Sequence, residues 1–270
     1  FVLIVALVAQ LRGLLALVGL GFSGLVVVKF MLPALLAGES GLAVALVGSS
    51  AIMFVVLYLA HGVSLRTSTA LAGTLVGVSI TAFVGLYAVQ STRLSGVTDE
   101  TGSILTSIAG QISFQGLLTC AIIIAGLGVL NDVTITQTSA VWELRSAAPE
   151  LSRRRLFTSA MRIGRDHIAS TIYTIVFAYA GSALTVLLLL FLYDRPFVDL
   201  LSTEDITEEV VRTLASSIGL VVAVPVTTLL AVAMVSPKRR LRYPMPPPSV
   251  RPPTPVCDTT PAGVTRPYRS

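Results

Sequence analysis

Six stretches of the chain are apolar for roughly the 20 residues that a helix needs to cross ~30 Å of hydrocarbon. They are residues 14–36, 42–60, 68–89, 112–130, 168–192 and 214–235. None shows the period-two alternation of a barrel strand. Lipid offers no partner for backbone N–H and C=O groups, so runs of this kind satisfy their backbone only as helices. Residues 1–9 are apolar but too short to cross alone, and read as the end of a helix cut short. The expected fold is all-α: a polytopic membrane bundle of about seven segments, the first incomplete.

Composition excludes most soluble classes. Of the 270 residues, 54% are hydrophobic and 12% charged, whereas a soluble domain carries about a quarter charged residues. The mean hydropathy is +0.84. A formal charge of +5 and a pI near 9.6 would fit a nucleic-acid binder if the basic side chains shared one soluble face. They sit instead in short blocks beside the apolar runs, which points to anionic lipid headgroups and away from nucleic acid. Two cysteines, Cys120 within a run and Cys257 near the end, make no disulfide framework.

Orientation follows from Lys and Arg, because basic loops resist translocation. Arg12, Arg66, the 145–165 stretch with Arg153, Arg154 and Arg155, and the cluster Lys238, Arg239, Arg240 and Arg242 fall on alternate connections. The intervening connections carry Glu39, then Arg93, Asp99 and Glu100, then the acid-rich residues 194–212. The basic side is expected to be cytoplasmic, which leaves the C-terminus inside and the protein in the cytoplasmic membrane.

Several segments outside the runs have readable roles. After Ser152, the residues Leu156, Phe157, Ala160, Met161 and Gly164 recur at helical spacing opposite Arg154, Arg155, Arg162 and Arg165. That is the pattern of an amphipathic helix lying along the inner leaflet. Ser202 with Asp205 forms a capping-box pattern before the last run. Residues 1–236 read as one membrane domain, and 237–270, basic and then proline-rich, as a disordered tail. Arg153, Arg154, Arg155 and the Lys238–Arg242 cluster are the expected lipid contacts. Lys29 is expected to snorkel, Pro33 and Pro225 to kink or end helices, Gly73 with Gly77 to let helices approach closely, and Trp142 to anchor at the interface.

Polar groups at membrane depth are costly and mark the places to look for function. His61, Arg66, Asn131, Asp132, Arg165, Asp166 and His167 all fall at the basic boundary. The following NDVTITQTSAVWEL (131–144) is too polar for lipid and too apolar for an ordinary loop. It either continues the preceding helix or breaks into a re-entrant element whose Thr134, Thr136, Gln137, Thr138 and Ser139 line an enclosed cavity. Downstream, Asp166, Ser170 and Thr174 share one helical face, with His167 and Thr171 alongside. Such a stripe either fixes packing through interhelical hydrogen bonds or forms an ion or proton path. In the second reading Asp132 and Asp166 bind the cation or proton, and His61 or His167 relays it. Asn131, Thr134, Thr136, Gln137 and Thr171 line the path, and Arg66, Arg162 and Arg165 tune its charge. No metal-ligand spacing, phosphate loop, dinucleotide fingerprint or nucleophile elbow occurs, so no cofactor or metal is expected.

Four blocks in order carry a resemblance: HGVSLRTSTALAGTL (61–75), GLGVLNDVTITQTSAVWELR (126–145), RIGRDHIASTIYTIVFAYAG (162–181) and RTLASSIGLVVAVPVTT (212–228). Over about residues 10–235 the chain resembles the YibE/F-like bacterial membrane proteins. The resemblance implies an integral cytoplasmic-membrane protein with a further N-terminal segment and no assigned substrate. It also implies two adjacent acids where this chain has Asn131 and then Asp132. The expected function is permease-like or channel-like, with a small ion or solute as partner and a second copy of the chain as a compatible one. A membrane scaffold that recruits lipid or a protein is the alternative, and an intramembrane enzyme a more distant one.

Overall fold

A computed structural model describes residues 2–97, 100–108, 112–192 and 203–235. Among the described residues the chain is helical, without strands. α1 (Val2–Val26) passes through a π-helical turn (Val27–Met31) into α2 (Leu32–Leu36). Then follow α3 (Gly41–His61), α4 (Leu65–Thr92), α5 (Glu100–Ile108), α6 (Phe114–Ala147), α7 (Arg153–Ser182), α8 (Leu184–Leu192) and α9 (Glu204–Met234).

Five stretches are long and apolar enough to cross a membrane: Gly13–Leu36, Gly41–His61, Leu65–Thr92, Phe114–Ala147 and Ile206–Met234. Residues 2–9 are set apart from the first of these by a break in α1 at Gln10 (φ 50°, ψ −140°). The run expected at 168–192 is shared between the second half of α7 and α8, which meet at Ala183. α7 nevertheless travels the length of the bundle beside α9. Its Leu156 and Ala160 pack with Ala231, Val232 and Val235, while Val176, Tyr179 and Ala180 line a cavity with Ile206, Glu209 and Val210.

Both prolines act locally. Pro33 has no N–H and its ring crowds the carbonyl of Lys29, which accounts for the shifted ladder just before it, where Leu32 N–H reaches Val27 O. Pro225 sits inside α9 without ending it. Lys29, in the π-helical turn, is exposed.

The 131–144 segment does not re-enter. It continues α6 as one 34-residue helix, about 51 Å long at 1.5 Å per residue. Its polar half needs no break because Thr134, Gln137 and Thr138 are buried against neighbouring helices, among Val133, Ile135 and Val141. Trp142, on the same stretch, packs half-buried against the cluster of Val141 and Leu156. The amphipathic pattern after Ser152 is real, but it belongs to the first half of α7, a helix continuous with the following segment. Its apolar side, Leu156, Ala160 and Gly164, is buried; Leu156 and Ala160 pack with Val141 and Ala231, which makes it a helix–helix seam rather than a face laid on the leaflet. Arg153, Arg154 and Arg155 stay exposed at the start of α7. Of the expected capping box, Ser202 lies outside the described residues, and α9 begins after Thr203, whose side chain makes no cap bond. Residues 237–270, with Lys238, Arg239, Arg240 and Arg242, also lie outside them.

The core runs through α3, α4, α6 and α9, where Leu57, Val78, Ile123, Leu130, Leu220 and Val224 are buried together. Close approach depends on the α4 glycines. A Cβ on Gly73 would stand 2.1 Å from Thr227 Oγ1, and one on Gly77 2.8 Å from Leu130 Cδ2 and 3.0 Å from Ala223 Cβ. The pair thus seats α4 on two helices at once.

Candidate functional site

One end of the bundle carries Arg66, Arg145 and Arg153–Arg155, and here α4, α6, α7 and α9 converge on a buried polar network. The Gln137 amide on α6 donates to the Ala160 carbonyl of α7 at 3.0 Å and to the Thr228 hydroxyl of α9 at 2.8 Å. Thr228 donates in turn to Val224 O at 2.7 Å. One turn earlier on α6, the Thr134 and Thr74 hydroxyls meet at 2.6 Å and tie α6 to α4. A buried amide or hydroxyl without a partner is costly, so these bonds hold the helices in one register.

At the edge of this network Asp132 of α6 faces His167 of α7, with Oδ2 3.8 Å from Nε2. The Asp132 side chain is 70% exposed and that of His167 30%. The His167 Nε2 atom itself is buried and makes no hydrogen bond among the described residues. When the imidazole is protonated the two form an ion pair. Asn131 Oδ1, one position before Asp132 on α6, is likewise buried without a partner among the described residues. Thr171 supports His167 from the next turn, donating to its carbonyl at 2.8 Å.

The residues expected to act together are therefore partly gathered. Asn131, Asp132, Thr134, Gln137, His167 and Thr171 lie along the facing stretches of α6 and α7. Asp166, Arg162, Arg165 and Thr136 project from the same helices as exposed residues. His61 is exposed at the end of α3. Arg66 grips α6 farther on, donating to Ser139 Oγ from Nε at 3.0 Å and also from Nη2, with Glu143 3.9 Å away. Ser139 is roughly 10 Å along the helix from Asp132.

Sequence reading missed Thr74, Thr228 and Arg145. Thr67, Thr74 and Thr81 recur every seven residues on α4 and all three are buried, a periodicity that could have marked them. Arg145 is buried although basic, and its Nη1 donates to Pro149 O at 3.2 Å and Leu151 O at 2.7 Å, closing the turn between α6 and α7. Among the described residues no three His, Cys, Asp or Glu side chains stand close enough to share a metal ion.

Residues 1–237 match the family described as YibE/F-like protein. No curated protein and no solved structure matches the chain. The match takes in every described helix, including the three spanning stretches α4, α6 and α9 that build the polar network and the α7 segment that closes it. This multi-pass membrane protein belongs to the YibE/F-like family.

Proposed function

We propose that the chain is a permease-like or channel-like protein of the cytoplasmic membrane that moves a small cation or a proton through a polar site facing the cytoplasm. The observation that carries this reading is the Asp132–His167 pair, a carboxylate and an imidazole brought from two helices to 3.8 Å. Asp132 lies roughly 27 Å along α6 from its start at Phe114, about one hydrocarbon thickness. That places the pair at the basic boundary of the membrane, where an ionisable pair can serve as the mouth of an ion or proton pathway. The imidazole and carboxylate can exchange a proton, and a cation can replace the imidazolium as partner of the carboxylate.

Asn131 Oδ1, one position before Asp132 on α6 and buried without a hydrogen-bond partner among the described residues, offers a neutral oxygen to the same guest. Asp166 adds negative charge next to His167, and the exposed Arg162 and Arg165 on the same helix offset it. The basic end faces the cytoplasm by the positive-inside rule. Arg153, Arg154, Arg155 and the Lys238–Arg242 cluster then meet anionic headgroups of that leaflet. Gln137, Thr74, Thr134 and Thr228 are assigned to packing, since their hydrogen bonds tie α6 to α4, α7 and α9.

The test is flux of protons or alkali cations into vesicles holding the purified chain. Asp132→Asn and His167→Gln should each lower it at least tenfold with no change in elution or helical content, and Asp166→Asn should lower it less. Unchanged flux in Asp132→Asn removes the site. A chain that carries no flux, yet loses recovery of a bound partner when residues 236–270 are deleted, is a scaffold.

A further inference from the structure

The turn between α6 and α7 gathers positive charge that no neighbouring carboxylate offsets. From Arg145 to Arg155 the chain has four arginines and one acid, Glu150. The ion pairs among the described residues fall elsewhere, on Arg66, His167 and Arg212. Arg145 is the costliest of the four, because it is only 4% exposed and a guanidinium does not shed its proton. Its Nη1 is satisfied by Pro149 O and Leu151 O, while its buried Nε has no hydrogen-bond partner among the described residues. Carbonyl oxygens bring only partial charge to a full one.

α7 then opens against the usual rule. A helix N-terminus carries partial positive charge and favours acids in its first turn, yet the first turn of α7 is Arg153, Arg154 and Arg155, with no acid in it. The cap is weak as well, since the Arg155 N–H reaches the Ser152 hydroxyl only at 3.4 Å. Three like charges at the positive end of a 30-residue helix are a local cost of the kind that sequences carry at functional sites.

The same residues enclose space. Leu151, Ser152, Arg154, Arg155, Thr158 and Ser159 line an open hollow of about 450 Å³. A second hollow, of about 440 Å³, shares Leu151, Ser152 and Arg155 with it. Arg155 thus serves both, and Leu151, which also lines both, holds the buried Arg145 through its carbonyl. Guanidiniums and hydroxyls at the start of a helix are all donors. A phosphoryl group suits that set best, because its several oxygens take forked bonds from arginine and single bonds from Ser and Thr. A phosphomonoester suits it better than a phosphodiester, since its second charge answers the excess of four arginines over one acid. The volume beyond the phosphoryl group admits what it is attached to.

We propose that this concavity binds a doubly charged phosphoryl group, carried by a small soluble molecule or by a phosphomonoester lipid, with Arg154 and Arg155 as its direct ligands. It differs from the general attraction of the basic end to headgroups in requiring particular arginines and a particular charge on the phosphoryl group. It stands whether or not the chain transports anything.

Equilibrium dialysis of radiolabelled inorganic phosphate against the full chain in neutral detergent micelles, with chloride holding the ionic strength constant, tests it. Phosphate should bind saturably. Arg155→Gln should weaken binding roughly tenfold, as for the loss of hydrogen bonds to a charged group. Arg153→Gln removes the same charge from a side chain that lines neither hollow, and should weaken binding less than about twofold because exposed charge is screened. If Arg155→Gln fails to elute as a folded species, Arg154→Gln takes its place with the same expectation. Short-chain phosphatidic acid and phosphatidylglycerol are then added as competitors. Displacement by phosphatidic acid alone assigns the phosphoryl group to a lipid, and displacement by neither assigns it to a soluble molecule. Absence of saturable binding, equal losses in Arg153→Gln and in the variant of a lining arginine, or equal displacement by both lipids shows attraction to bulk charge and overturns the site.

Discussion

Gly219 and Gly128 are both helical glycines in spanning segments, yet the first is buried and the second exposed. A Cβ on Gly219 would run into Thr81, whereas one on Gly128 would meet nothing within 4 Å. Gly219→Ala is therefore expected to destabilise the bundle by about 1–3 kcal/mol through overpacking. Gly128→Ala should be neutral or stabilising by roughly 0.5–1 kcal/mol, because alanine loses less backbone freedom on forming a helix. Unfolding in mixed detergent micelles with rising SDS reads both. The Gln137–Thr228 bond belongs to the same scale. Hydrogen bonds between membrane helices average about 0.6 kcal/mol in double-mutant cycles, and a Gln137→Leu/Thr228→Val cycle should return a coupling of that order. Neither side chain announced its partner in the sequence. Gln137 stood out as polar at membrane depth, but its two acceptors lie 23 and 91 residues away.

Among the elements, α6 and α7 show how a polar stretch can remain helical beyond the hydrocarbon. The 131–144 segment was equally readable as a continued helix or as a re-entrant turn, because periodicity alone does not say whether neighbours will bury Thr134, Gln137 and Thr138. α4, α7 and α9 do so, and the helix runs on to Ala147. The turn that follows is held by Arg145, whose guanidinium bonds the Pro149 and Leu151 carbonyls of the connection. Arg145→Met keeps the stem and removes both bonds. It is expected to cost about 1–3 kcal/mol, as for a buried charged group that loses its partners' bonds. Amide exchange should quicken at residues 148–151, where Ala148 N–H now reaches Leu144 O and Leu151 N–H reaches Ala148 O. Unchanged exchange there would show that the backbone holds the turn without the guanidinium.

At the level of the whole molecule, the two ends of the bundle are closed by different chemistry. The basic end is sealed by the Gln137 network, and the other by a tie between the segment after α4 and the start of α9. There the Ser95 N–H donates to Glu204 Oε1. The hydrogen bond from the Ser95 side chain, opposed by burial and reinforced by the Ser95 and Gly96 backbone N–H groups, holds the Glu204 carboxyl below its ordinary value of 4.5. A carboxyl whose folded value lies below its unfolded one contributes stability above the unfolded value and loses it as pH falls through the folded value. The unfolding midpoint should thus be level above pH 4.5 and fall below it, and Glu204→Gln should flatten that part of the profile; a variant with the same acid limb as the parent chain would show that Glu204 is not its source.

The sequence by itself determined that the chain is helical and where five of its long apolar stretches lie, because hydrocarbon thickness and the need to bond every backbone group act on a single run without reference to any other. It also marked Asn131, Asp132, Gln137 and His167 as polar groups at one depth. Which of them meet was decided by the tertiary structure alone. The stripe of Leu156, Ala160 and Gly164 reads the same whether it lies on lipid or on α9, and Asp132 could as readily have faced His61 as His167. Those choices depend on how closely α4, α6, α7 and α9 approach, and so on glycines and hydroxyls scattered over more than 150 residues whose fit exists only once the helices have packed.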